Sequence, residues 1–337
     1  MKRDAENPSL NTGSLSDRIF SLIRWDDWSK VRIPFIFSAV LYLQYTDKVL
    51  GEGIEAYVRF FSAVFFAICY YIFLFLVNDL FDYEQDVKSK NKDASRNKGV
   101  MIASSLLMLI IGISTAILSW RVFSIEKLLI LFISYFFVYF YSAFPYRYKE
   151  KGFLGIIVGS LILRPVSVFL ITMDYLQNTH LLFIFSYLIW LEIFSIRSML
   201  FHQLDDFKSD KLAGVRTYVI EKGASHSMKL IANVCLPAEI LSHILLSCLI
   251  ALRTPVLGGI LFIVTIISGY KFIKEHSFFA LRISHYRPLL GTVHFFFLPV
   301  CLACAVAIRD SLWYLPLFVV YWQRAFLRES LRKLVSF

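Results

Sequence analysis

Long apolar runs constrain the fold of this chain more than any other feature of its sequence. About nine of them approach the roughly 20 residues that a helix needs to cross the hydrocarbon core of a bilayer. They cover residues 31–45, 57–77, 100–120, 127–143, 154–173, 181–200, 228–252, 255–272 and 291–308. Backbone groups in lipid must be satisfied internally, and runs without strict alternation exclude a β-barrel. The runs predict an all-α polytopic membrane protein, a bundle of about nine transmembrane helices.

Composition and charge support this class. The 337 residues are 58% hydrophobic and 17% aromatic, and their mean hydropathy is +0.63, which no ordinary soluble domain matches. The net charge of +10 is spread over the segments between the runs, as in membrane topology, so no nucleic-acid partner is expected. We expect a polar tail and amphipathic lead-in at 1–30, a transmembrane domain at 31–323 and a basic tail at 324–337.

An acidic stretch ends the second apolar run and occupies residues 78–86. On a helix, Asn78, Asp79, Asp82 and Asp86 project within about 100° of one another, so one face offers three carboxylates and an amide. Hard cations prefer such oxygen ligands, and Mg²⁺ often combines one or two carboxylates with substrate phosphates. Taken alone, the stretch is also explained as a solvated acidic helix end.

A second acidic stretch ends the run at 181–200. Helical projection places Gln203, Asp206 and Asp210 within about 60° of one another, whereas Asp205 points away. If the two acidic faces meet, they are suited to hold Mg²⁺ around a diphosphate and to polarise its oxygens. We therefore expect the metal ligands to be Asp79, Asp82, Asp86, Asp206 and Asp210.

The pattern N-D-x-x-D-x-x-x-D, followed about 120 residues later by D-x-x-x-D, resembles the UbiA superfamily of intramembrane prenyltransferases. The segment 141–152, YSAFPYRYKEKG, resembles the loop rich in Tyr and Lys that lies between the motifs of that family. Gln203 and Asn97 stand where many members carry Asp and Pro. The resemblance implies a UbiA-type bundle around a central cavity, an isoprenyl diphosphate donor lying between helices, and an acceptor that is aromatic or lipid.

Basic residues orient the bundle. They crowd the N-terminal tail and the loops that contain both acidic stretches and residues 141–151, so the positive-inside rule makes these cytoplasmic. The N-terminus and the mouth of the site are thus expected on one face. Nine spans would leave the basic C-terminus outside, so we expect residues 311–323, broken by Pro316, to return part or all of the way across the membrane.

Charged residues inside the apolar runs are further candidates, because their burial is costly and usually functional. Glu192 projects at the angle of Gln203, about 16 Å deeper. It is expected to bind the acceptor's polar head, accept a proton or steady a cation, unless it only bonds to a neighbouring helix. Arg164 is expected to bind a diphosphate oxygen or an acceptor carboxylate. The alternative is that its side chain only snorkels, extending its charged group to the membrane surface. Arg197 projects away from Asp206 and is not included in the predicted site.

The expected catalytic set consists of Asp79, Asp82, Asp206, Asp210 and Glu192. The groups expected to bind the diphosphate are Asn78, Arg96, Tyr141, Arg147, Lys149, Arg164, Gln203 and Lys211. A basic loop such as 141–151 is alternatively only an anchor for anionic lipid headgroups.

These residues predict a Mg²⁺-dependent prenyltransferase that transfers an isoprenyl group to a lipid-soluble acceptor and releases pyrophosphate. A membrane terpene cyclase of the same superfamily is the main alternative, and glycosyl-type transfer to a polyprenyl phosphate is another. A transporter or lipid-binding protein is the alternative from a different class, but a transporter more naturally places its charged site near the bilayer midplane.

Overall fold

The fold is seen in a computed structural model, which describes residues 23–88, 98–120, 123–173, 176, 181–274 and 297–335. All secondary structure in these ranges is helical, which confirms the all-α class. The helices are α1 (Trp25–Asp47), α2 (Gly53–Lys88), α3 (Lys98–Ser119), α4 (Ile125–Ser142), α5 (Gly152–Leu163), α6 (Pro165–Thr172), α7 (Leu181–Asp205), α8 (Phe207–Ala213), α9 (Tyr218–Lys222), α10 (Ala224–Leu230), α11 (Leu236–Arg253), α12 (Pro255–Lys274), α13 (Leu298–Asp310) and α14 (Tyr314–Val335). A 3₁₀ turn, Tyr148–Glu150, precedes α5, and a π turn, Ile231–Cys235, joins α10 to α11.

Five helical segments are long and apolar enough to cross a membrane, which makes this an integral membrane protein. They are Gly53–Tyr83, Lys98–Ser119, Ile125–Ser142, Leu181–Asp205 and Ala224–Arg253. The bent pair α5 and α6 raises the number to six when it is counted as one span. The expected count of nine spans therefore stays a prediction, as does the division into two tails and a membrane domain.

Two helices, α1 and α7, make many of the contacts that hold the bundle together. α1 packs against α2, α6, α13 and α14, and α7 packs against α5, α6 and α11. Their contacts bury large aromatic residues, among them Trp28, Tyr71, Tyr187 and Trp190. The exposed faces of α3 and α4 are apolar, as expected of surfaces that contact lipid.

The second helix is unusually long. Its 36 residues correspond to about 54 Å, whereas the hydrocarbon core is roughly 30 Å thick. It is therefore long enough to span the membrane and still carry the acidic residues 78–86 beyond the hydrocarbon. α2 begins at Gly53, whose φ of 57° lies in the left-handed region that glycine adopts without strain.

The predicted span 154–173 is broken near its middle. α5 ends at Leu163, and α6 begins at Pro165 with a bend of 41°. Arg164 between them has φ −143° and ψ −54°, outside the helical region, because a residue before proline is disfavoured in that region. The break allows the Arg164 side chain to leave α5 at an angle that a straight helix would not give.

The second acidic stretch is not one continuous helix, contrary to the projection used above. α7 ends at Asp205 and α8 begins at Phe207, while Asp206 has φ −88° and ψ 0°. The backbone N–H of Asp206 still donates to the His202 carbonyl at 3.0 Å, and that of Asp210 to the Asp206 carbonyl at 2.8 Å. The projection of a single straight helix therefore does not give the directions of the Asp206 and Asp210 side chains relative to Gln203.

The C-terminal helix also differs from expectation. α14 continues from Tyr314 through Val335, so the basic residues after 323 extend a helix rather than follow one. Pro316 does not break it, because it lies in the first turn, where a missing N–H removes no helical hydrogen bond. Whether this helix crosses the membrane stays a prediction.

Candidate active site

Cationic side chains contact the carboxylates of the first acidic stretch. Asp79 is 3% exposed, and its Oδ1 lies 3.1 Å from Nη1 of Arg24. Oδ1 of Asp82 accepts from Nη2 of Arg147 at 3.0 Å and also from Nζ of Lys149. The three cations thus neutralise a negatively charged face that would otherwise be costly to bury.

The loop after α4 brings two of these cations to the end of α2. Arg147 adopts the left-handed conformation with φ 38°, and its buried guanidinium also donates to Glu150 at 2.6 Å and to the Phe81 carbonyl at 3.4 Å. Lys149 reaches Oδ1 of Asn78 at 3.2 Å as well as Asp82. Burial lowers the pKa of Lys149, although the charge of Asp82 opposes that shift.

The second acidic stretch approaches the same place. Burial and, to a lesser degree, the charges of Asp206 and Asp82 together raise the pKa of Asp210 to about 6, and the charge of Lys149 opposes this shift. Asp206 is more open, and its Oδ2 lies 3.4 Å from Nδ1 of His202. Carboxylates from both stretches therefore act on one another electrostatically at one end of the bundle.

This end of the bundle fits a divalent cation by charge and by donor type. The pKa of Asp210 is raised first by burial and then by the nearby charges of Asp206 and Asp82, and a bound cation would offset both effects. Within the described side chains, no group of three or more His, Cys, Asp or Glu lies close enough to hold a metal ion as it stands. The side chain of Asp86 lies outside the described side chains. Asp79 is instead held by Arg24, and Asp82 by Arg147 and Lys149.

Other expected site residues lie elsewhere or make other contacts. Gln203 is buried, and its Oε1 accepts from the backbone N–H of Val219 at 3.3 Å, so this amide secures α9. Lys211 is exposed on α8. The Tyr141 hydroxyl packs over Gly159 of α5, where an added Cβ would lie 2.8 Å from it. Arg96 lies outside the described residues.

A second polar group lies deeper between the helices. Oε1 of Glu192 accepts from the Ser160 hydroxyl, which joins α7 to α5, and Oε2 of Glu192 is buried without a hydrogen-bond partner among the described residues. Arg164 donates to Oγ of Ser195 at 3.2 Å, and its guanidinium lies over the ring of Phe194 at 4.8 Å. These hydrogen bonds connect Glu192 to α5 and Arg164 to α7.

Sequence reasoning missed two features of this arrangement. Arg24 was counted only as a topology signal, and nothing local in the sequence indicates its contact with Asp79. Glu239 lies inside an apolar run, and the rule that selected Glu192 would have selected it too. It forms a buried ion pair with Arg197. The prediction that Arg197 faces away from the acidic stretch agrees with this contact.

The fold and this charged end define a class: polytopic helical membrane proteins in which acidic and basic side chains from separate loops gather at one end of the bundle. The chain belongs to the UbiA prenyltransferase family, whose family model matches residues 48–282. It is therefore a membrane-embedded enzyme of the prenyltransferase type.

Solved structures with the same fold are similar along most of the chain. A UbiA homologue from Archaeoglobus fulgidus bound to DMAPP and Mg²⁺ is 14% identical, with a TM-score of 0.60, over 87% of this chain and 99% of the other. The same homologue bound to GPP and Mg²⁺ is 15% identical, with a TM-score of 0.60, over 90% and 99%. A digeranylgeranylglyceryl phosphate synthase is 16% identical, with a TM-score of 0.50, over 92% and 99%. A search of curated proteins gives no significant match.

Proposed function

We propose that this protein is a Mg²⁺-dependent prenyltransferase that transfers an isoprenyl group from an isoprenyl diphosphate to a lipid-soluble acceptor, releasing pyrophosphate. The observation that carries the proposal is the convergence of Asp82, Arg147, Lys149 and Asp210 at one end of the bundle in a chain of this family. The archaeal structures that contain DMAPP or GPP together with Mg²⁺ support the choice of donor and metal.

Donor binding exchanges the partners of the acidic residues. In the ligand-free arrangement Arg24, Arg147 and Lys149 neutralise Asp79 and Asp82. Diphosphate oxygens make charge-assisted hydrogen bonds to the same cations, which frees the carboxylates for metal. The residues proposed to hold Mg²⁺ are Asp79, Asp82, Asp86, Asp206 and Asp210, and a metal bound there would supply positive charge to offset the charge that develops on the departing pyrophosphate.

Further groups complete the proposed diphosphate site. Asn78 already accepts from Lys149 and from Ser142 at 3.1 Å, so its amide orients the lysine. Tyr141 donates from the neighbouring helix end, and Lys211 supplies charge from α8. Arg96 is proposed on the family resemblance alone. Gln203 acts indirectly, because it holds α9 in place next to the second acidic stretch.

The chemical step needs a water-poor space below the diphosphate. The bond between C1 of the donor and its diphosphate oxygen breaks with the electron pair on pyrophosphate, which leaves an allylic cation that the acceptor attacks. Buried aromatic rings such as Tyr70, Tyr71 and Trp190 exclude water from this region. Glu192 and Arg164 lie deeper and are assigned to the acceptor, with the open oxygen of Glu192 binding its polar head or receiving its proton.

The test is pyrophosphate release by the purified protein. We would offer a panel of isoprenyl diphosphates with Mg²⁺, with and without membrane lipid extract, and compare Asp79→Ala and Asp206→Ala. Release that requires Mg²⁺, both carboxylates and the extract supports the transferase. A chelator should abolish this release, and added Mg²⁺ should restore it.

Two outcomes would contradict the proposal. Release without extract, with an apolar hydrocarbon or alcohol as product, would identify a terpene cyclase. No release from any donor, with cations or lipids still bound, would favour a transporter or lipid-binding protein.

A further inference from the structure

A buried ion pair joins the back of α7 to α11. Nε of Arg197 lies 2.5 Å from Oε2 of Glu239, and Nη2 lies 3.0 Å from Oε1. The guanidinium therefore donates two parallel hydrogen bonds to the carboxylate. Glu239 is fully buried. Two parallel bonds restrict the relative orientation of the groups far more than a single contact does.

A second contact lies one to two turns deeper along the same interface. His243 follows Glu239 by one turn of α11, and its ring meets Trp190 of α7 edge to face, with 5.4 Å between ring centroids. Nδ1 of His243 is also hydrogen-bonded to the Thr265 hydroxyl of α12. The back of α7 is therefore fixed to α11 at two heights, and α11 is tied to α12.

The opposite face of α7 carries the groups of the proposed site. Glu192 bonds to Ser160, and Ser195 bonds to Arg164, so this face contacts α5 and the bend before α6. Gln203 lies six residues after Arg197, which separates them by about 120° around the helix and about 9 Å along it. Any rotation of α7 would therefore move Gln203 and the turn at Asp206 together.

We infer that Arg197 and Glu239 are positioning residues: their ion pair sets the rotation of α7 so that the second acidic stretch faces the first. The inference rests on the function proposed above. An ion pair buried in this way adds little net stability compared with well-packed apolar residues, because both charges lose their hydration. What it supplies is a defined orientation, which the metal and diphosphate ligands at the end of α7 require.

The experiment measures metal binding directly, with no chemical step. Detergent-purified, monodisperse protein is titrated with Mn²⁺ in the presence of inorganic pyrophosphate, and free Mn²⁺ is followed by electron paramagnetic resonance. Glu239→Gln keeps the shape of the side chain and removes its charge. We expect its Kd for Mn²⁺ to rise about 10-fold, as for residues that orient metal ligands. The exchange Arg197→Glu with Glu239→Arg should restore most of the affinity.

Asp310→Asn is the matched control. Oδ2 of Asp310 accepts from Nε2 of Gln44 at 2.8 Å, so this variant also removes the charge of a carboxylate that bonds to another helix, but at the contact between α1 and α13. It should lower thermal stability while the Kd for Mn²⁺ stays unchanged. The melting temperature of every variant is recorded beside its Kd, so a loss of folded protein is separated from a loss of affinity.

Each outcome decides between positioning and simple packing. Folded Glu239→Gln with wild-type affinity would overturn the inference, as would a folded charge exchange with no recovery. If the wild-type protein binds Mn²⁺ and pyrophosphate but releases no pyrophosphate from any isoprenyl diphosphate, only the proposed function is contradicted. Wild-type protein that does not bind Mn²⁺ at all would overturn both.

Discussion

Lys149 contacts both Asn78 and Asp82 and acts electrostatically on Asp210, so it is the cation that links both acidic stretches. We predict that Lys149→Gln raises the KM for the isoprenyl diphosphate at least tenfold, because a hydrogen bond to a charged group contributes about 1.5–3 kcal/mol. The measurement is the initial rate of pyrophosphate release against donor concentration at saturating Mg²⁺.

The matched control for this change is Lys151→Gln, two residues further along the chain. Lys151 is exposed, and its ammonium lies 4.6 Å from the centre of the Tyr148 ring, away from the carboxylates. The KM of Lys151→Gln for the isoprenyl diphosphate should stay close to that of the wild type. Equal increases in the two variants would mean that the loop acts only through its overall charge.

Individual residues also show where sequence reasoning succeeds. The shared face of Asn78 and Asp82 could be predicted because it depends only on helical periodicity within a few residues. The contact of Arg24 with Asp79 spans 55 positions and depends on how α1 packs against α2. No local pattern contains that information, so the cation beside Asp79 emerged only from the structure.

At the scale of the element, α5 is fitted closely against the end of α4 and against α7. A Cβ on Gly159 would lie 2.8 Å from the Tyr141 hydroxyl and 2.9 Å from Cε of Met199. We predict that Gly159→Ala slows pyrophosphate release roughly tenfold, because relieving an overpacked contact costs about 1–3 kcal/mol and here displaces Tyr141. Rates and melting temperatures should be measured together.

Gly259→Ala is the control for this prediction, since a Cβ there meets nothing within 4 Å. It should leave the rate unchanged. The effect of Gly159→Ala should also shrink when Tyr141 is already replaced by Phe, because both changes act on one hydroxyl. A folded Gly159→Ala variant that retains the wild-type rate would show that Tyr141 does not need its observed position.

Helices as units were only partly predictable. Their apolar runs identified most of them, because lipid demands about the same length of apolar helix everywhere. The bend at Arg164 interrupts the run 154–173 without changing its composition, and the end of α7 at Asp205 falls beyond the run 181–200, so the runs indicated neither. The π turn before α11 is likewise not indicated by the apolar runs. Pro237 in the following turn has no backbone N–H to donate, and the missing helical hydrogen bond allows one wider turn.

For the whole molecule, the open question is which side of the membrane carries the charged end. We predict that Lys151→Cys, in a variant without the five native cysteines, reacts with a membrane-impermeant maleimide only after cells are lysed. Lys48→Cys should react in intact cells, because Lys48 lies at the other end of α1. Reversed labelling would place the proposed site outside the cell.

The length of α2 has a consequence for the products of the proposed reaction. A helix long enough to carry its acidic end past the hydrocarbon would put the broken bond of that reaction at the boundary between lipid and water. Pyrophosphate formed there is soluble only in the aqueous phase, while the lengthened acceptor remains soluble only in the bilayer. The two products would part by partitioning, so the reverse reaction would lack one of its reactants without any dedicated export step.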